Sequence, residues 1–115
     1  MIIGIGVDIV QISRLTEEII HKVLSPEEIS LYQGFTSYKR QREFLAGRFS
    51  VKEAIKKALP AFEGFHSMNE LVVLNDEAGQ PYLKYPLLKA KQCYLSISHE
   101  LEYAVGLCVI ENNNL

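Results

Sequence analysis

Asp8, in MIIGIGVDIV, and Glu53, in RFSVKEAIKKAL, lie far apart in the chain, and each stands in the kind of local setting that metal-assisted phosphate chemistry uses. Read with a period of two, the opening run places Ile3, Ile5, Val7 and Ile9 on one strand face and Gly4, Gly6, Asp8 and Val10 on the other. The aliphatic side reads as the main apolar face, so Asp8 is expected to point away from it, beside two glycines. Glycine weakens a strand, and two at alternate positions predict that a ligand or another element comes close to the backbone there. A carboxylate buried in such a place needs a partner.

Length limits what such a site can belong to. The 115 residues are expected to form a single domain, 1–115. A chain of this size buries roughly 65% of its unfolded surface, enough for a core but leaving little room for a deep private pocket. A pocket shared between subunits is the natural remedy. With 48% apolar and 23% charged residues the composition is that of an ordinary soluble globule. No segment approaches the ~20 apolar residues of a membrane span. The N-terminus lacks the basic region of a signal peptide, and Asp8 interrupts its apolar run, so a cytoplasmic location is expected. Cys93 and Cys108 fall on two expected strands without a second Cys or His at metal spacing, and read as reduced core thiols.

A net charge of −2 does not by itself call for an anionic partner. Its distribution says more, since seven of the twelve positive charges fall between Lys39 and Lys57, where only Glu43 and Glu53 oppose them. That stretch reads as a basic surface, or as a solvated helix face with pairs such as Glu53 and Lys57. No nucleic-acid motif accompanies it, and no nucleic-acid or membrane partner is expected.

The positioning elements read as an α+β fold, an antiparallel or mixed sheet packed against one long helix. Ser13 is placed to cap a short helix through Lys22, with Glu17 and Glu18 near its start. Ser25-Pro26-Glu27-Glu28 opens a second, with Ser25 as N-cap and Pro26 at the first helical position. The third and longest is expected from about Lys39 to Leu59, stopping at Pro60 and laying one face on the sheet. Leu71–Leu74 and Pro81–Lys84 flank a loop ending in Gly79, which reads as a scaffold hairpin. Lys89–Leu95 leads into Ser96-Ile97-Ser98-His99, and Tyr103–Ile110 makes the last strand. His99, at a strand end, is where a loop presents a polar side chain to a ligand.

Three segments together resemble one family. GVDIVQISR, FLAGRFSVKEAIKKAL and SISHELEYAVG are similar, in order, spacing and total length, to the signature blocks of the holo-acyl-carrier-protein synthases, the short 4′-phosphopantetheinyl transferases. The NDEAGQPYL hairpin resembles the family's D-x-x-G-x-P-Y. The resemblance implies the 4′-phosphopantetheinyl transferase fold and a Mg²⁺-dependent transfer of phosphopantetheine from coenzyme A to a serine of an apo acyl carrier protein, releasing adenosine 3′,5′-bisphosphate. That reaction readies the carrier for fatty acid or polyketide synthesis. It implies Asp8 and Glu53 as Mg²⁺ ligands, with Glu53 or a metal-bound water as proton acceptor, and Lys57 on the pyrophosphate. Arg48 and His99 match positions at the nucleotide end of coenzyme A, and Arg14 matches the carrier-docking arginine, with Lys22, Lys39, Arg40 and Arg42 extending a positive surface around it. A homotrimer with coenzyme A between neighbouring subunits is implied as well.

Two segments depart from the family's pattern. The stretch after Arg14 is shorter and carries Glu17 and Glu18, and Pro60–Phe65 replaces a glycine-rich turn. The rival readings are a non-catalytic trimeric binding protein of the same fold and a hydrolase of the coenzyme A pyrophosphate.

Overall fold

The opening run does form a strand, β1 (Ile2–Gln11), but with its two faces exchanged relative to the expectation. The glycine face packs inward. In the computed structural model, which describes residues 1–59, 67–84 and 91–112, Ile5, Val7 and Ile9 are between 55% and 64% exposed while Val10 is buried. The reason is steric. The long helix α3 (Tyr38–Ala58) crosses β1 so closely that a Cβ on Gly4 would stand 2.0 Å from the Ala58 carbonyl oxygen, and one on Gly6 2.0 Å from that of Ala54. Only a face without side chains admits a helix backbone at that distance, so the aliphatic face is turned outward.

β1 is one edge of a three-stranded antiparallel sheet in the order β1-β5-β4, with β4 at Lys91–His99 and β5 at Tyr103–Asn112. The register sets Gly6 opposite Cys108 and Asp8 opposite Gly106. A Cβ on Gly106 would lie 2.3 Å from the Val51 nitrogen, so α3 presses onto β5 in the same way. A separate antiparallel hairpin joins β2 (Val73–Asn75) to β3 (Pro81–Leu83), with Gly79 at φ +86° in its loop and the Asp76 carboxylate accepting from the Ala78 and Gln80 backbone N–H groups. All strand pairings among the described residues are antiparallel.

Before α3 the chain is more broken than its sequence suggests. The single helix expected from Ser13 to Lys22 is instead two 3-10 turns, Ile12–Arg14 and Glu17–Ile19, and the one-turn α1 (Ile20–Val23). Buried Ile12 and Leu15 belong to the core and hold the chain against it, so a continuous helix does not form. α2 (Pro26–Gly34) starts as expected: the Ser25 hydroxyl accepts from the Glu28 N–H at 3.2 Å, and the Glu28 carboxylate accepts from the Ser25 N–H at 2.8 Å.

Two apolar clusters line α3. One gathers Val10, Leu15, Leu24, Tyr32, Phe44 and Leu45, and the other Val51, Ile55, Leu71, Val73, Leu95 and Ile110. Cys93 and Cys108 are both free thiols, the second fully buried. The Pro60–Phe65 segment, the helix stop at Pro60 and the start of the expected strand at Lys89 lie outside the described residues.

Candidate active site

The glycine contact between β1 and α3 brings the distant acidic blocks of the sequence together. Two residues beyond Gly6 on the same face is Asp8, and one residue before Ala54 on the helix is Glu53. Lys57, a turn further along α3, donates from Nζ to Asp8 Oδ1 at 3.1 Å and to the Val7 carbonyl at 3.0 Å. The sequence offered Glu53 as the partner of Lys57 in an i,i+4 pair; the fold gives Lys57 to Asp8 instead. Glu53 has no hydrogen bond or ion pair among the described residues. Lys57 is 53% exposed, so its pair with Asp8 is screened and adds at most ~1 kcal/mol to stability. It is therefore a contact that a ligand can readily exchange.

This donor set fits a hard divalent cation. Glu53 has no partner among the described residues, and Asp8 is held through a single oxygen by a half-exposed lysine. Mg²⁺ takes one or two protein carboxylates and completes its shell from phosphate oxygens and water. Among the described residues no group of three or more His, Cys, Asp and Glu side chains is clustered, so a metal here would depend on its substrate for ligands.

Arg48 and His99 line one open cavity of about 470 Å³, together with Glu43, Phe44, Asn75 and Tyr82. His99 ends β4, as expected, and its Nδ1 is 3.7 Å from Glu43 Oε2. Arg48 is not the surface cation that the charge pattern suggests. Its side chain is buried, with the guanidinium carbon 4.3 Å from the centre of the Phe44 ring, Nε donating to the Val73 carbonyl and Nη2 to Asn75 Oδ1. Burial lowers its pKa to about 10, with Glu28 opposing the fall and Arg40 adding to it. Lys52 is likewise 0% exposed, paired with Glu28, and its pKa is lowered by burial against the pull of that carboxylate. The basic stretch is thus a surface only in part, because two of its cations face an internal carboxylate.

The expected docking residues lie on the broken segment after β1. Arg14 ends the first 3-10 turn and Lys22 sits in α1, both exposed. Arg42 is half-buried and donates to the Ile12 carbonyl at 2.9 Å, so it ties that segment to α3 rather than standing free. Arg40 pairs with Glu43 at 3.4 Å and covers the Phe35 ring.

Sequence reasoning missed the hairpin, taking it for scaffold. Leu74, Asn75, Gly79, Pro81 and Tyr82 form a wall of the cavity that holds Arg48 and His99. The signal was the NDEAGQPYL pattern itself, whose glycine and proline shape a turn next to a polar opening. No helix among the described residues is long and apolar enough to cross a membrane.

The profile of the 4′-phosphopantetheinyl transferase superfamily matches residues 4–108. The holo-(acyl-carrier-protein) synthase of Petrotoga mobilis is 41% identical over 118 aligned positions, covering 96% of this chain and 97% of its own. That of Staphylococcus carnosus is 36% identical, covering 96% of this chain and 98% of its own. Among solved structures, the Bacillus anthracis holo-(acyl-carrier-protein) synthase in complex with CoA (3′,5′-ADP) superposes with a TM-score of 0.86 at 35% identity, covering 97% of this chain and 98% of that one.

Proposed function

We propose that this chain, which belongs to the 4′-phosphopantetheinyl transferase superfamily, moves the 4′-phosphopantetheine group of coenzyme A onto a serine of an apo acyl carrier protein in a Mg²⁺-dependent reaction. Adenosine 3′,5′-bisphosphate leaves, and the carrier becomes competent for fatty acid or related synthesis in the cytoplasm. The observation that carries this reading is the junction of Asp8 and Lys57 across β1 and α3, with Glu53 one turn before Lys57 and without a partner among the described residues. The relatives' names supply the chemistry that such a junction would serve.

Asp8 and Glu53 would hold Mg²⁺, which supplies charge neutralisation at the pyrophosphate when bound. The residues of the chain do the rest. Glu53, or a water ordered beside it, accepts the proton of the carrier serine as the serine oxygen forms a bond to the phosphorus bearing the pantetheine arm. The bridging P–O bond breaks, and Lys57, released from Asp8, offsets the negative charge that grows on the leaving phosphate. Arg48 and His99 receive the nucleotide end in the cavity that the hairpin closes. Arg14 and Lys22 meet the acidic carrier.

The working unit is a homotrimer, with coenzyme A lying across a subunit boundary. Support comes from the outward sheet face, where Ile5 pairs with Val109, Val7 with Leu107 and Ile9 with Val105 in one continuous apolar surface. A monomeric domain seldom leaves such a patch to water.

Intact mass of an apo acyl carrier protein after incubation with the protein, coenzyme A and Mg²⁺ tests the reading. A gain of ~340 Da, lost in a chelated control, is expected for the phosphopantetheine group. No gain with any carrier would favour the binding-only protein. Release of adenosine 3′,5′-bisphosphate without carrier would favour the hydrolase.

A further inference from the structure

Glu28 and Lys52 take no part in the chemistry proposed above, yet they form a fully buried ion pair at the centre of the elements that build the cavity. Glu28 Oε1 accepts from Lys52 Nζ and from the Ser25 N–H. Its Oε2 accepts from the Val73 N–H at 2.9 Å and lies 4.0 Å from Arg48 Nε. Lys52 also donates to the Val23 carbonyl at 2.7 Å. Stability alone explains such a pair poorly, because well-packed apolar residues of similar volume commonly do as well.

Arg48 gives the pair a use. Glu28 is the one carboxylate within ion-pair distance of Arg48 among the described residues. Arg48 spends Nε on Val73 and Nη2 on Asn75, while Nη1 has no protein acceptor among the described residues. A lone, fully buried carboxylate 4.0 Å away attracts a guanidinium far more than the same pair would in water. With Lys52 seated on that carboxylate, most of the attraction is cancelled.

We propose that Lys52 is a positioning residue for nucleotide binding: by neutralising Glu28 it keeps Arg48 on Val73 and Asn75, with one edge of the guanidinium left for an anionic phosphate group in the cavity. The inference rests on the coenzyme A reading of that cavity. Its test is the affinity for adenosine 3′,5′-bisphosphate, measured by titration calorimetry in the presence of a chelator, which removes any contribution of a metal at the neighbouring Glu53. Lys52→Met leaves Glu28 to claim Arg48, and is expected to weaken binding about tenfold, the scale of one charge-assisted phosphate contact. Glu28→Gln and the double variant remove the competing anion, and both should bind within about threefold of the parent.

Unchanged affinity in Lys52→Met would overturn the proposal. So would a double variant as weak as Lys52→Met, since that result marks packing damage instead of competition for Arg48. If Lys52→Met does not fold, as its melting curve would reveal, Glu28→Gln still decides: loss of affinity there overturns the proposal, and retained affinity upholds it. Absence of nucleotide binding by the parent protein would instead overturn the coenzyme A reading, and this proposal with it.

Discussion

The carbonyl oxygen of Ala54 occupies the space that a side chain on Gly6 would need, 2.0 Å from the position of its Cβ. This contact sets the separation of β1 and α3, and through it the meeting of Asp8 with Lys57. Gly6→Ala must push the helix away, at a cost of ~1–3 kcal/mol or more. A lowered denaturation midpoint together with lost transfer activity is the expected result. A variant as stable and active as the parent would show that the helix can shift without harm.

Asp8→Ala should reduce transfer on the order of 10²–10⁴-fold with the fold intact, as judged by circular dichroism. Lys57→Ala should slow transfer while changing Mg²⁺ affinity less than Asp8→Ala does. Near-parental turnover of the Asp8 variant would overturn its assignment as a metal ligand, and an unaltered rate for the Lys57 variant would leave that lysine a structural partner only.

Ile5 is 62% exposed on the outward sheet face, so a charge there does not disturb the core of the subunit. If the proposed trimer forms through this face, Ile5→Lys is expected to dissociate it, observed as a smaller sedimenting species, and to abolish transfer while leaving the subunit folded. A variant that remains trimeric would place the subunit contact elsewhere.

Arg14→Glu reverses a charge at the edge of the proposed carrier surface. Its effect should fall on the association rate with the acidic carrier, by about tenfold at low salt, and shrink as ionic strength rises. The affinity for coenzyme A should not change. An equal loss for both substrates would contradict the assignment of Arg14 to carrier docking.

Much of this was legible in the chain because it is local. The Ser25-Pro26 start of α2 is a capping preference, and α3 ends within a residue of where its pattern breaks, at Ala58. The roles proposed for Asp8, Glu53 and Lys57 rest on residue type, order and the family resemblance. The broken segment from Ile12 to Val23 was not legible, because buried Ile12 and Leu15 override helix-forming tendencies that the local sequence displays.

What alternation cannot reveal is which side of a strand faces inward. The pattern of β1 reads equally well with either face buried, and hydrophobicity alone favours the wrong one. The decision belongs to α3, whose backbone can approach only where Gly4 and Gly6 leave no side chain in the way, and that choice turns the aliphatic face outward. The same holds for charge. Composition shows Arg48 and Lys52 as two more cations of a basic stretch, and only folding sets them around Glu28, where loss of water makes the position of each charge matter.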